Sequence, residues 1–300
     1  MRIRATVAVV SGALALSAFA VPAAQADGSA SNADIAKIAK AADSGRTTFD
    51  AAAGEPYALD ATFSNVKINK GKAIAVGTTK VVKAPVTFTL THGADVDYTA
   101  EDFFAFVELY RGASFEDADW AWDTDPAVCT AVTDTTASCT TTLELDPIAL
   151  LNEDAGSWKV AAFAVAFNGE NLEDPDLSKV GVAVQDPAAA SVKLQRYSKL
   201  TVNASPEPVK KGKTITVTGK LTRANWDTGK YAGYTNQSVK LQYKKKGASS
   251  YSDVKTVKSG SGGALKTTVK ATADGYFRYV FAGTSTTPAV KAKGDFVDVK

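Results

Sequence analysis

The chain has little of what most enzyme chemistry needs. Its 300 residues contain one histidine, two cysteines and one methionine. A Ser-His-Asp triad requires a histidine base, so any such site would have to use His92. That residue sits before glycine in THGADVD, at the end of a strand-like run, which is a turn position. There is no G-x-S-x-G, no H-E-x-x-H and no glycine-rich phosphate loop. A cysteine redox pair or a cysteine-built metal site would need closer spacing or more ligands than Cys129 and Cys139 offer. Nucleic-acid binding motifs are missing as well. Glycoside hydrolysis needs only two carboxylates brought together in space, so these absences leave it open.

What is present begins with a leader. Arg2 and Arg4 precede an uncharged apolar run from Ala5 to Val21, and Ala24-Gln25-Ala26 supplies small residues for cleavage. This pattern predicts a signal peptide over 1–26, cut before Asp27, rather than a membrane span. The C-terminal GDFVDVK has neither an apolar tail nor a sorting signal, so the exported chain is expected to be released or loosely held at the cell wall. Residues 27–55 are Ala- and Ser-rich. SNADIAKIAKAAD within them reads as a short capped helix or a tail.

Charge is divided unevenly. From Asp27 to Arg196 there are 26 acidic and 13 basic residues, a net of −13. From Tyr197 to Lys300 there are 6 acidic and 19 basic, a net of +13. Such asymmetry points to two domains, 56–196 acidic and 197–300 basic, with different partners. The two halves could also simply attract each other.

Strand signals dominate after residue 55. Val86, Phe88 and Leu90 alternate in PVTFTLTHG. DFFAFVELYRG puts Phe103, Ala105, Val107 and Leu109 on one side and Phe104 and Phe106 on the other. WKVAAFAVAFNG is apolar on both faces, as in a strand covered on both sides. Turn formers separate the runs at Asn69–Gly71, His92-Gly93, Arg111-Gly112 and Asn168-Gly169. Pairing Cys129 with Cys139 across an antiparallel hairpin sets Ala131 opposite Ala137 and leaves Thr133-Asp134-Thr135 as the tip. Ala127, Thr141, Leu143 and Leu145 share that parity, so the bridge is expected on the core side. A cross-strand disulfide fits an exported protein, and closing so short a loop contributes roughly 3 kcal/mol.

The second half repeats the pattern. SKLTVNASPEP, TITVTGKLT, SVKLQYKKKG, YSDVKTVKSG, ALKTTVKATA, DGYFRYVFAG and GDFVDVK make about seven strands. Two immunoglobulin-like β-sandwiches in tandem, an all-β chain, is the predicted fold, without the Cys…Trp…Cys framework of antibody domains. NASPEPVKKGKTITVTGKLTRANW, KYAGY, SVKLQYKKKG, DGYFRYVFAGTSTT and GDFVDVK resemble the C-terminal domain of a family of secreted actinobacterial two-domain proteins. FSNVKINKG, VTFTL, ELYRG and the cysteine hairpin resemble that family's N-terminal domain. The resemblance covers most of the chain after the leader. It implies two immunoglobulin-like sandwiches, export and no enzymatic activity; some members are labelled calcium-binding, with no residues attached to the label.

Several groups could bind. Acidic loops hold Asp95 and Asp97, then Glu116, Asp117, Asp119, Asp123 and Asp125, then Glu170, Glu173, Asp174 and Asp176. Calcium takes six to eight oxygens, often from such loops. None of the three matches an EF-hand, and a solvated acidic surface is the plainer reading. Asp95, Asp97, Asp117, Asp119, Asp123 and Asp125 are the candidate ligands. Trp120 and Trp122 would share a strand face. Trp226, Tyr231 and Tyr234, between the second and third strands of the basic domain, could stack on sugar or could pin their own loop. Lys210, Lys211, Lys213 and Lys244 to Lys246 could attract an anionic cell-wall polymer or polysaccharide, or could be a wet strand face. The expectation is a non-catalytic secreted binding or structural protein that binds calcium through its acidic loops. A carboxylate-dependent glycosidase, or an enzyme inhibitor acting through the Asp134 tip, are the alternatives.

Overall fold

The computed structural model describes residues 56–300 apart from Glu116, Asp117, Asp119, Trp120 and Glu173. The expected signal peptide and the segment 27–55 lie outside the described residues. The protein is all-β. In chain order the first strands are β1 (Tyr57–Ala58), β2 (Ala61–Ile68), β3 (Ile74–Val76), β4 (Val82–His92), β5 (Phe103–Tyr110), β6 (Ala121–Asp123) and β7 (Val128–Thr133). Then come β8 (Thr136–Leu145), β9 (Gly156–Ala166), β10 (Gly181–Gln185), β11 (Ser191–Arg196), β12 (Ser198–Leu200), β13 (Asn203–Ser205) and β14 (Thr214–Asn225). The last are β15 (Lys230–Gly233), β16 (Ser238–Lys245), β17 (Ser252–Lys258), β18 (Ala264–Lys270), β19 (Gly275–Phe281), β20 (Val290–Lys291) and β21 (Asp295–Val297).

Two compact units result. One holds the described residues up to 71 with 85–143 and 158–191; the other holds 72–84, 144–157 and 192–300. The expected division at Arg196 falls close to the last crossing, but 72–84 and 144–157 group with the second unit.

In the first unit, one sheet runs β2-β4-β8-β7. In the other, β5 pairs with β6 and β9, β9 with β10, and β1 lies parallel to β10. The alternation read in β4 is realised: Val86, Phe88 and Leu90 are buried. β5 and β9 are buried on both faces, as the unbroken apolar runs require. One of those faces carries an aromatic cluster. Phe106 stacks on Phe163 with centroids 5.1 Å apart, and Phe115 meets Phe163 edge-on at 4.9 Å. Asp186 ties the chain after β5 into place. It accepts hydrogen bonds from the Tyr110 hydroxyl and, at 2.6 Å, from the Phe115 amide. Burial first, then Asp186, raises the Tyr110 hydroxyl above its ordinary pKa.

Cys129 and Cys139 are directly opposite in the β7–β8 hairpin and form the disulfide, with Ala131 opposite Ala137. Cys139, Ala137, Leu143 and Leu145 have no exposed surface, so the bridge does lie on the core side. The tip differs from expectation. A register irregularity between Ala131 and Thr133 lets Thr133 pair with Thr136, which leaves Asp134-Thr135 as a two-residue turn.

In the second unit, β14 is the longest strand and pairs with β12, β13, β15 and β18. The facing sheet sets β16 between β17 and β19, and β19 also pairs with β20 and β21. Ile215, Val217, Leu221, Val239, Leu241, Phe277, Tyr279 and Phe281 fill the space between. Burying each such side chain contributes roughly 1.5–3 kcal/mol. The buried Tyr279 hydroxyl donates to the Val217 carbonyl at 2.9 Å, so its polar end is satisfied. Gly219 is required in β14: a Cβ there would lie 2.3 Å from the Thr201 carbonyl and 2.9 Å from the Tyr279 ring. All seven expected runs of this half are strands. KYAGY adds β15, where the sequence reading placed a loop.

Candidate binding surfaces

The acidic loops use several of their carboxylates locally. Asp97 accepts the Thr99 amide at 3.0 Å and the Thr99 hydroxyl at 2.6 Å, and these bonds hold its pKa below the usual value. Asp102 accepts the Gly169 amide at 2.6 Å. Asp176 caps a 3-10 turn through Ser178, and Glu170 pairs with Lys179 at 2.9 Å. Asp95 sits in the exposed turn after β4, where its carboxylate and that of Asp60 converge on Gly93. Asp123 and Asp125 are exposed. Asp117 and Asp119, with Glu116, Glu173 and Trp120, lie outside the described residues. Among the described residues no three His, Cys, Asp or Glu side chains gather closely enough to hold a metal ion.

His92 ends β4 and is 7% exposed. Its Nδ1 donates to the Gly93 carbonyl at 2.9 Å, and its ring packs 4.6 Å from that of Tyr98. It is the last strand residue, opposite Ala61, with its amide bonded to the Thr135 carbonyl, and not the turn residue expected.

Trp226, Tyr231 and Tyr234 belong to a hairpin, not an open loop. β14 continues to Asn225, and β15 returns antiparallel with Asn225 opposite Lys230. Trp226 has no exposed surface. Its indole N–H donates to the carbonyls of Gly77 at 2.8 Å and Val76 at 3.3 Å, and its amide donates to the Asn152 side chain at 3.0 Å. It therefore has no face to offer a sugar. Tyr231 carries the Lys199 ammonium 3.6 Å above its ring, and Tyr234 carries the Arg223 guanidinium at 3.9 Å. Tyr234 also meets Phe281 edge-on. Trp226 is enclosed at the hairpin, while Tyr231 and Tyr234 stay partly buried beneath their cations.

A different aromatic group faces outward. The inward residues of β16 and β19 are Val239, Leu241, Tyr243, Phe277, Tyr279 and Phe281, so Lys240, Gln242, Lys244, Tyr276, Arg278 and Val280 take the solvent side. Phe296 of β21 is opposite Tyr276, and their centroids are 5.1 Å apart at 53°. Tyr251, just before β17, lies on the same face, with the Arg278 guanidinium 3.7 Å over its ring. Lys244 reaches to 5.2 Å from the rings of both Tyr251 and Tyr276, and Lys246 to 5.5 Å from Phe296. Gly294 makes room for this arrangement: a Cβ there would come within 2.3 Å of the Tyr251 hydroxyl. Arg278 donates through Nε to Gln242 at 2.9 Å. Gln242 and Lys240 both bond Asp253 at 2.7 Å, and Lys246 pairs with Asp274 at 3.3 Å. Sequence reading missed this group. The alternation in DGYFRYVFAG already sends Tyr276 and Arg278 outward, but Phe296 and Tyr251 join them only through strand register.

The outer side of the other sheet is plainer. Thr214, Thr216, Thr218 and Lys220 of β14 lie beside Lys266, Thr268 and Lys270 of β18.

No family model matches the chain, and no curated protein matches it in sequence. Among solved structures it is similar to a marsupial T cell receptor, at 13% identity, covering 79% of this chain and 72% of that one, with a TM-score of 0.35. It is also similar to the fibronectin(III)-like modules of Clostridium thermocellum CbhA, at 11% identity over 78% and 92% of the two chains, TM-score 0.27. An I-band fragment of titin matches at 10% identity over 80% and 66%, TM-score 0.30. The protein is all-β, with its strands in several sheets divided between two compact units.

Proposed function

We infer that this is an exported, non-catalytic binding or structural protein whose basic half attaches to an anionic cell-envelope polymer or polysaccharide. Tandem sandwich modules of this kind suit a binding or structural role. The observation that carries the polymer reading is the lysine pattern of the second unit. The solvent-facing positions of β16, β17 and β18 hold Lys240, Lys258, Lys266 and Lys270, all exposed. A field of one sign spread over strand faces attracts a flexible polyanion and weakens with salt. Co-sedimentation of the exported chain with an insoluble uronate polymer, at low and high salt, tests this. Retention at low salt with release at high salt is expected; the same retention on an uncharged glucan would remove the charge-based reading.

Calcium belongs to the same reading as a ligand of the acidic half, through Asp95, Asp97, Asp123 and Asp125 with Asp117 and Asp119. Calorimetric titration with calcium, beside a melting curve in chelator, checks it. Saturable heat and a lower melting point in chelator are expected, and their absence would leave these residues as a charged surface. A glycan hydrolysis screen addresses the glycosidase alternative. Turnover lost on Asp→Asn changes in the acidic loops would overturn the non-catalytic reading.

A further inference from the structure

We propose that the outer face of the β16–β19–β21 sheet is a binding site for a carboxylated polysaccharide, a chain of sugar rings bearing uronate groups. This rests on the reading of the basic half as polymer-binding and assigns that binding to one surface.

Three observations converge on it. First, Tyr251, Tyr276 and Phe296 occupy solvent-side positions and are only partly buried, whereas the outer side of the other sheet carries threonine and lysine. The fold therefore does not need aromatic residues at outward positions. Aromatic surface left beside water in a rimmed patch marks a binding surface, and flat ring faces suit the C–H faces of sugars. Secondly, the rings are interleaved with cations. The Arg278 guanidinium lies 3.7 Å over Tyr251 and is oriented by its Nε bond to Gln242. Among the described residues its terminal amino groups make no further hydrogen bond, so its fork is available to a carboxylate. Lys244 and Lys246 stand over the neighbouring rings. Thirdly, acceptors lie among the cations. Asp253, Asp274 and the Gln242 carbonyl can take hydrogen bonds from hydroxyl groups. Those carboxylates repel any polyanion, a polyuronate included, but a ligand with hydroxyl donors recovers hydrogen bonds from them that a polyphosphate, without donors, cannot. A ligand with hydroxyl donors and spaced carboxylates uses all three kinds of group.

The test is titration of the full exported chain with polygalacturonate oligomers, beside neutral glucan oligomers, polyphosphate and single-stranded DNA. Tyr276→Ala and Arg278→Ala are each expected to weaken polygalacturonate binding about tenfold. Arg278→Lys, which keeps the charge and loses the fork, should weaken it as well, while Tyr276→Phe should bind as the parent does. Lys220→Ala removes one charge from the outer side of the other sheet, as Arg278→Ala does from this one, and should cost less than about threefold. Melting curves accompany every variant. If a variant melts much earlier, the conservative pair Tyr276→Phe and Arg278→Lys decides. Equal losses from the two sheets would overturn the site and leave the polymer reading intact. Failure of the parent to bind any polyanion would overturn both. Equal or tighter binding of polyphosphate or DNA through Tyr276 would overturn the assignment to a carboxylated glycan.

Discussion

Two aromatic groups of the second unit, similar in composition, differ in their place in the fold and in the enclosure of Trp226. Trp226 with Tyr231 and Tyr234 lies at a strand end, where the chain turns back on itself. Its neighbours cover it, and the indole is fully enclosed with its N–H bonded. Tyr276 and Phe296 lie at outward strand positions, Tyr251 sits beside them, and all three are partly buried. Cations lean on their faces, and Tyr276 and Phe296 pack against each other. An aromatic residue in a turn is therefore weak evidence for a binding surface, because turns fold back onto their own domain. An aromatic residue at an outward strand position is better evidence, because the pleat itself keeps it from the core.

The contrast can be broken by mutation. The largest effect expected is from Trp226→Ala, which removes the biggest enclosed side chain of the second unit and leaves the Gly77 carbonyl without its indole donor. It should cost about 3–5 kcal/mol in denaturant unfolding. A value near zero would make Trp226 equivalent to the surface rings. The disulfide provides a covalent standard of similar size in the first unit. Replacing both Cys129 and Cys139 by Ala should cost roughly 3 kcal/mol, read from the same unfolding curves.

A smaller effect is expected from Tyr279→Phe, which removes one buried hydrogen bond and should cost about 1 kcal/mol at neutral pH. It carries a pH signature. Burial pushes the Tyr279 hydroxyl up to about 12, against about 10 for an exposed tyrosine. The folded state thus holds a proton that the unfolded state loses first. This contribution is complete below pH 10 and is lost as pH rises through 12. The gap between parent and Tyr279→Phe should narrow in melting curves taken across that window. The smallest stability effect is expected from Tyr276→Ala. Beyond the cost of its partial burial, within about 1 kcal/mol, it should act on polymer binding alone. A large loss of stability would place Tyr276 with Trp226.

Much of the fold was legible because β-structure writes its period into the sequence. Val86, Phe88 and Leu90 showed a half-buried strand, and the unbroken run around Phe163 showed one covered twice. The disulfide was legible because parity alone set Cys129 opposite Cys139. The hairpin tip was not, since an irregularity such as that between Ala131 and Thr133 depends on how the strands twist. The site was less legible than the fold. Trp226 was noticed for its chemistry, and its burial depends on Val76, Gly77 and Asn152, all more than seventy residues away in sequence. Arg278 and Tyr276 were predictably outward, but nothing local shows that Phe296 and Tyr251 would join them.

The sequence by itself determined the all-β class, the core faces of the long strands, the disulfide and the charge of each half. These follow from period-two alternation, cysteine count and composition, which are local or additive quantities. Tertiary structure alone decided that 72–84 and 144–157 group with the second unit, that Trp226 is enclosed, and that Tyr251, Tyr276, Phe296 and Arg278 share one face. Those outcomes depend on strand register and on which distant backbone lies overhead, and neither is encoded by any single stretch of chain.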